Sequence, residues 1–341
     1  MTAPAARTDA PLLEAQALSK TWRVGSAWLP GGRQQVRAVD AVSFRVWPGE
    51  TLGLVGESGC GKSTLARCLV RLHDCSAGVL RFEGRDITHL GAAAMRPLRP
   101  RLQMVFQDPS ASLNPRRRVG DLIAEPLRVH GRRSEADIQQ RVRALADRVG
   151  LLPEQLRRFP HEFSGGQRQR IGIARALALA PRLIVADEPV SALDVSIQAQ
   201  VINLFAELQQ ALGLTYVFIA HDLSVVRQVS TRTVVMYLGS IVELAPTEAL
   251  YAAPAHPYTR ALIAAVPVPR IAKDADGRPL PRAPRAALAG DPPSPLNPPA
   301  GCRFHPRCPA ATALCATERP PLRDFGDGRS VACHHPLLPL G

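Results

Sequence analysis

The chain has 341 residues, 46% hydrophobic and 21% charged, which is enough for one large domain plus an appendage, or for two small domains, of ordinary globular composition. No apolar run reaches the roughly 18 residues that cross a bilayer, and the opening MTAPAARTDAPLLEAQ has no apolar h-region, so neither a membrane span nor a signal peptide is expected and the chain is expected to stay in the cytosol. The formal net charge of +13 would suit an anionic partner such as nucleic acid, a lipid surface or a nucleotide, but lysine occurs only at Lys20, Lys62 and Lys273 and every other cation is arginine, so the excess is read as compositional bias.

In chain order, residues 12–50 read as strands and turns. The stretch 38–46 (AVDAVSFRV) alternates as a strand does, and Trp47-Pro48-Gly49-Glu50 turns into a short apolar strand at 51–55 (TLGLV). A glycine-rich loop follows, then helical spacing over 63–72. Residues 109–180 are expected to be mostly helical, as an insertion. After them come a buried strand at 183–186, a helix at about 196–212 and a strand at 215–220. Alternating strands and helices predict an α/β fold with a parallel sheet covered on both faces. Near residue 254 the composition shifts: 18 of the 32 prolines lie in 254–341. The segment 267–300 is expected to be extended or loosely ordered. The loop motif is not repeated, so one nucleotide domain per chain is expected.

Three motifs carry chemistry. GESGCGKST at 56–64 fits G-x-x-x-x-G-K-[ST] between a strand and a helix. Its glycines let the backbone curl so that N–H groups face phosphates, and the next helix adds its positive end. The candidate nucleotide contacts are Gly56, Ser58, Gly59, Cys60, Gly61, Lys62, Ser63 and Thr64, with Lys62 for the β- and γ-phosphates and the Ser63 hydroxyl for Mg²⁺. That Lys62 stays lysine in an arginine-dominated chain suits a site needing a compact point charge. LIVADEP at 183–189 is an apolar strand ending in two carboxylates. Asp187 can hold Mg²⁺ through water and Glu188 can orient and deprotonate an attacking water; the plainer reading is an acidic pair capping a helix. FSGGQRQR at 163–170 is by itself a turn and a helix cap.

Together the three motifs resemble those of ABC ATPases, in which FSGGQRQR is the signature sequence. The resemblance implies a P-loop core with an antiparallel β subdomain and an inserted helical subdomain (about 109–180). It makes Gln107 in QMVFQDP the glutamine that contacts Mg²⁺ and senses the γ-phosphate, Ser191-Ala192-Leu193-Asp194 the D-loop, and His221 a γ-phosphate contact. Trp22 stands where the family has an aromatic that stacks on adenine, and Phe163 replaces the usual signature leucine. The family mechanism is a sandwich dimer, in which Ser164, Gly165, Gly166 and Gln167 of one subunit cap ATP held by another. ATP hydrolysis would then drive paired membrane subunits.

The tail narrows the resemblance. SPLNPPAGCRFHPRC at 294–308, together with DPSASLNPR at 108–116 and HPYTRAL at 256–262, resembles oligopeptide and dipeptide importer ATPases. That divides the chain into a nucleotide-binding domain at 1–255 and an extension at 256–341. It also implies a peripheral location on the cytoplasmic face of the cell membrane. The implied partners are two transmembrane permease subunits, a second ATPase expected to be a paralogue, and a substrate-binding protein outside the cell, with no nucleic acid. Peptides are the expected cargo; nickel or another small solute is the alternative, and a soluble ABC ATPase acting on ribosomes or nucleic acid is a competitor of another class. Cys302, Cys308, Cys315 and Cys333 are spaced C-x5-C-x6-C-x17-C. Four thiolates can hold a [4Fe–4S] cluster or zinc; the wide spacing favours the cluster, and the alternatives are zinc, with His305 and His334 as further ligands, or no metal. Cys60 is read as a small residue of the loop, one whose alkylation would block the nucleotide and so could make the site sensitive to thiol reagents.

Overall fold

The structure, a computed structural model, describes residues 10–25, 34–131, 134–266 and 290–337. Two sheets organise it. The smaller is antiparallel, in the order Gln34–Val46, Leu13–Val24, Ala77–Phe82, Arg85–Asp86. The larger has eight strands, in the order Arg323–Asp324, Ser330–Val331, Ser240–Pro246, Arg232–Tyr237, Thr51–Val55, Thr215–Ile219, Leu183–Asp187, Leu102–Val105. Its last five are mutually parallel. Strands 51–55, 183–187 and 215–219 are buried at every position, as a parallel sheet covered on both faces requires. This is why their sequences are unbroken apolar runs rather than alternating ones.

One core fills the space between the two sheets, around Leu13, Val46, Leu54, Leu65 and Phe82. The other joins the opposite face of the large sheet to the helices. The insertion consists chiefly of Val119–His130, Glu135–Arg148 and Gly165–Leu177. Their buried residues recur three and four apart, such as Ile138, Val142, Leu145 and Ala146, the spacing of one helix face. The expected α/β core with antiparallel β subdomain, helical insertion and loop-rich extension is the architecture found.

The extension continues the sheet and core of the preceding chain. Ser330–Val331 pairs with the edge strand Ser240–Pro246, and Phe304 is 2% exposed within the main core. At the expected boundary, the buried carboxylate of Glu243 accepts the backbone N–H groups of Ala255 and His256, both at 2.9 Å. Most of the proline-rich stretch 267–300 lies outside the described residues, as does the start of the chain. Among the described residues no helix is long and apolar enough to cross a membrane.

Candidate active site

The strand Thr51–Val55 sits inside the large sheet, and its C-terminal end releases the loop 56–64 into the helix Lys62–Leu69. Two of the loop glycines are needed for different reasons. Gly61 has φ +105°, and a Cβ there would overlap the carbonyl oxygen of Ala38 in the small sheet. Gly59 has φ +78° with open space around it, so only its backbone conformation demands glycine. The loop lines a cavity of about 300 Å³ with Val36, Ala38, Gln107, Glu188 and Gly239.

Neighbouring parallel strands end beside the loop. Leu183–Asp187 delivers Asp187, whose carboxylate accepts the Ser63 hydroxyl at 2.9 Å. Asp187 is 1% exposed, and burial raises its pKa against the opposing Ser63 hydrogen bond. A buried carboxylate beside a hydroxyl is an oxygen donor set suited to a hard cation such as Mg²⁺. Glu188 follows with φ +44°, a left-handed conformation that is unfavourable for a residue with a Cβ and is typical of functional sites. Its N–H donates to Ile219 O at 3.0 Å, and its carbonyl accepts the Ser191 hydroxyl of the 191–194 turn at 3.1 Å.

The Glu188 carboxylate is a meeting point. Gln107 Nε2 donates to it at 3.1 Å, His221 Nδ1 lies 3.3 Å away, and Lys62 Nζ lies 3.8 Å away. Three side chains that sequence places up to 159 positions apart thus share one carboxylate. Lys62 is itself buried and donates to the carbonyls of Gly56 at 2.8 Å and Glu57 at 3.1 Å.

Residues 164–167 and Trp22 lie away from this cavity, and Cys60 lines it with its thiol buried. Residues 164–167 do not line the loop cavity. They form the start of the helix Gly165–Leu177, where Ser164 Oγ accepts Gln167 N–H and Gln167 Oε1 accepts Ser164 N–H, a reciprocal cap. Ser164 and Gly165 are exposed, while Gly166 is buried where a Cβ would overlap Ile197. Trp22 does not line the cavity either. It packs edge-on to His73 at 4.9 Å, with Lys20 Nζ 4.2 Å above its ring, although its strand partner Val36 does line the cavity. Cys60 is 4% exposed and its thiol pKa is raised by burial. It is a packing residue under the loop, and the expected sensitivity to thiol reagents is not supported, because attack requires an accessible thiolate.

Cys302, Cys308, Cys315 and Cys333 line one cavity with His256 and His305. Burial raises the pKa of the Cys302, Cys308 and Cys333 thiols, with Cys315 adding to each. The donor set suits a soft metal. The geometry does not: among the described residues no group of three or more His, Cys, Asp or Glu side chains is disposed to hold a metal ion. The shared space of about 10 Å³ is room for one water and not for an iron–sulfur cube. The expected [4Fe–4S] cluster and the zinc alternative therefore gain no support from these positions.

The sequence reading missed Glu57, Tyr258 and Arg307. Glu57 fills a variable position of the loop motif, so the motif carries no signal for it. Its side chain is gripped by Arg307, 250 residues away, and its N–H donates to the Tyr258 hydroxyl at 3.0 Å.

A family model for ABC transporters matches residues 39–191, and one for the C-terminal region of oligopeptide/dipeptide transporters matches 242–315. The chain is 53% identical over 323 residues to a probable peptide ABC transporter ATP-binding protein of Sinorhizobium fredii, covering 95% of this chain and 89% of that one. It is 51% identical to an oligopeptide transport ATP-binding protein of Bacillus subtilis, covering 95% and 97%. With a di/tripeptide transport ATP-binding protein of Pseudomonas aeruginosa it shares 49%, covering 97% and 99%. Among solved structures it is similar to a dimeric ATP-binding cassette in a post-hydrolysis state bound to ADP and Pi, with TM-score 0.62 and 26% identity, over 69% of this chain and 98% of that one.

Proposed function

The chain belongs to the ABC transporter ATP-binding family, in the branch with the oligopeptide/dipeptide transporter C-terminal region, and from that premise we propose that it hydrolyses ATP to drive import of di- or oligopeptides. The observation that carries the reading is the convergence of Lys62, Gln107 and His221 on Glu188, beside the Ser63–Asp187 pair.

The loop N–H groups and Lys62 hold the ATP phosphates. Ser63, Asp187 and Gln107 would hold Mg²⁺, which would supply charge neutralisation for the transferred phosphoryl group. Glu188 orients a water and takes its proton. Gln107 and His221, both hydrogen-bonded to Glu188, set the direction of its carboxylate and would register the γ-phosphate. Ser164 and Gly165 are exposed at the start of their helix, so they can serve a site on another chain. The dimeric cassette it resembles supports the reading that two ATPase chains face one another. A paralogue as the second chain, an external substrate-binding protein and an adenine contact at Trp22 are finer parts of the same proposal.

A groove of about 560 Å³ lies between the helical insertion and the edge strand Leu102–Val105. Leu72, Phe106 and Val129 are exposed along it. Exposed apolar side chains beside Gln107 are a suitable seat for a permease helix, since movement there reaches the glutamine that contacts Glu188.

The decisive experiment is co-purification and reconstitution. The chain should copurify with two multi-span membrane proteins and a related ATPase, and the assembly should take up peptide only with hydrolysable ATP. Recovery with ribosomes or nucleic acid at physiological salt, without membrane proteins, would sink the reading.

A further inference from the structure

All three polar groups of Glu57 are engaged. Its carboxylate accepts two guanidinium nitrogens of Arg307, at 2.9 and 3.1 Å. Its N–H donates to the Tyr258 hydroxyl at 3.0 Å, and its carbonyl accepts Lys62 Nζ at 3.1 Å. Tyr258 and Arg307 both belong to the extension, and Lys62 belongs to the loop. The Arg307 side chain is 6% exposed and that of Glu57 is 23% exposed. A two-bond guanidinium–carboxylate pair this far from water fixes orientation as well as position.

The support beneath is stiff. The rings of Tyr237, Tyr258 and Phe304 pack on one another at 4.7 to 5.3 Å, each 2% exposed or less. The Tyr237 hydroxyl also accepts from Arg307 at 3.4 Å. The second residue of the phosphate loop is thus tied to the extension on two sides, and its carbonyl passes that restraint to the lysine. A loop already held in one shape loses less freedom when a ligand binds.

We infer that Arg307 is a positioning residue for nucleotide binding: the extension grips Glu57 so that the loop 56–64 and Lys62 are prearranged for the phosphates. This rests on the nucleotide-binding reading above. Arg307 touches no reacting atom, so its loss should weaken binding more than turnover.

The test is a double-mutant cycle on the full-length chain, read as the Kd for a fluorescent ATP analogue and as the KM and kcat of hydrolysis. Arg307→Gln and Glu57→Gln should each raise Kd and KM by about tenfold with kcat within about twofold, and the double variant should bind no worse than either single one. If the Arg307→Gln chain does not fold, Arg307→Lys carries the test, because it keeps the charge and forfeits the second bond; a Kd raised by about threefold is then expected. Unchanged affinity in these variants, or effects that multiply in the double variant, would overturn the inference, the latter by showing that Arg307 acts only through packing of the extension. Failure of the unmodified chain to bind nucleotide is a different outcome, which removes the underlying reading and this inference with it.

Discussion

Glu188 concentrates the chemistry at the residue scale. Its left-handed backbone and its hydrogen bonds with Gln107 and His221 fix the direction of the carboxylate proposed as the general base. Glu188→Gln keeps the shape and removes the base, so ATP should bind as before while hydrolysis falls by at least about 100-fold; near-normal turnover would refute the assignment. A second residue bears on stability. His256 is buried, and its pKa is pulled from the usual 6.5 down to about 3 by desolvation, while its Nδ1 accepts the Tyr258 N–H at 3.0 Å. Above about pH 6.5 both folded and unfolded chains carry it neutral. As pH falls below that value the unfolded chain takes up a proton that the folded chain refuses, so stability is lost at up to about 1.4 kcal/mol per pH unit until the folded pKa is reached. His256→Asn, which preserves a short acceptor for the Tyr258 N–H, should flatten that acid-side loss in melting temperature between pH 6.5 and 5.

The helix Gly165–Leu177 shows at the element scale how one short sequence serves capping and packing together. Ser164 and Gln167 cap one another, and Gly166 leaves room for Ile197 on the helix Val195–Leu212. Gly166→Ala should force those two helices apart at their starts and destabilise the chain by about 1–3 kcal/mol, measured by denaturant unfolding. Ile197→Ala in the same chain should restore part of the loss, since it removes the obstructing side chain. The helix and its cap were legible in the sequence, because serine, glycine and glutamine before an apolar repeat are local signals. The need for glycine at 166 was not, because Ile197 approaches from a separate element.

For the whole molecule, residues 164–167 do not line the loop cavity of their own chain, and the proposed function has a second chain complete each site. The Glu188→Gln variant with ATP should therefore shift from monomer to dimer in size-exclusion chromatography, and return to monomer when nucleotide is removed. A variant that stays monomeric with ATP would argue that membrane subunits are required to bring the two halves together.

Sequence by itself determined the parts whose signal is local. The loop 56–64, the carboxylates 187 and 188, the burial of the central strands and the identity of the helical insertion all follow from neighbours within a few residues. Backbone curvature and strand period depend on such short-range chemistry. Tertiary structure alone decided what those parts touch. It put Gln107 and His221 on one carboxylate, buried the Cys60 thiol, and gathered four cysteines around a space too small for a cluster. It also joined Glu57 to Arg307 across 250 residues. Contacts of that reach depend on how the sheets and the extension pack, and no motif spacing encodes them.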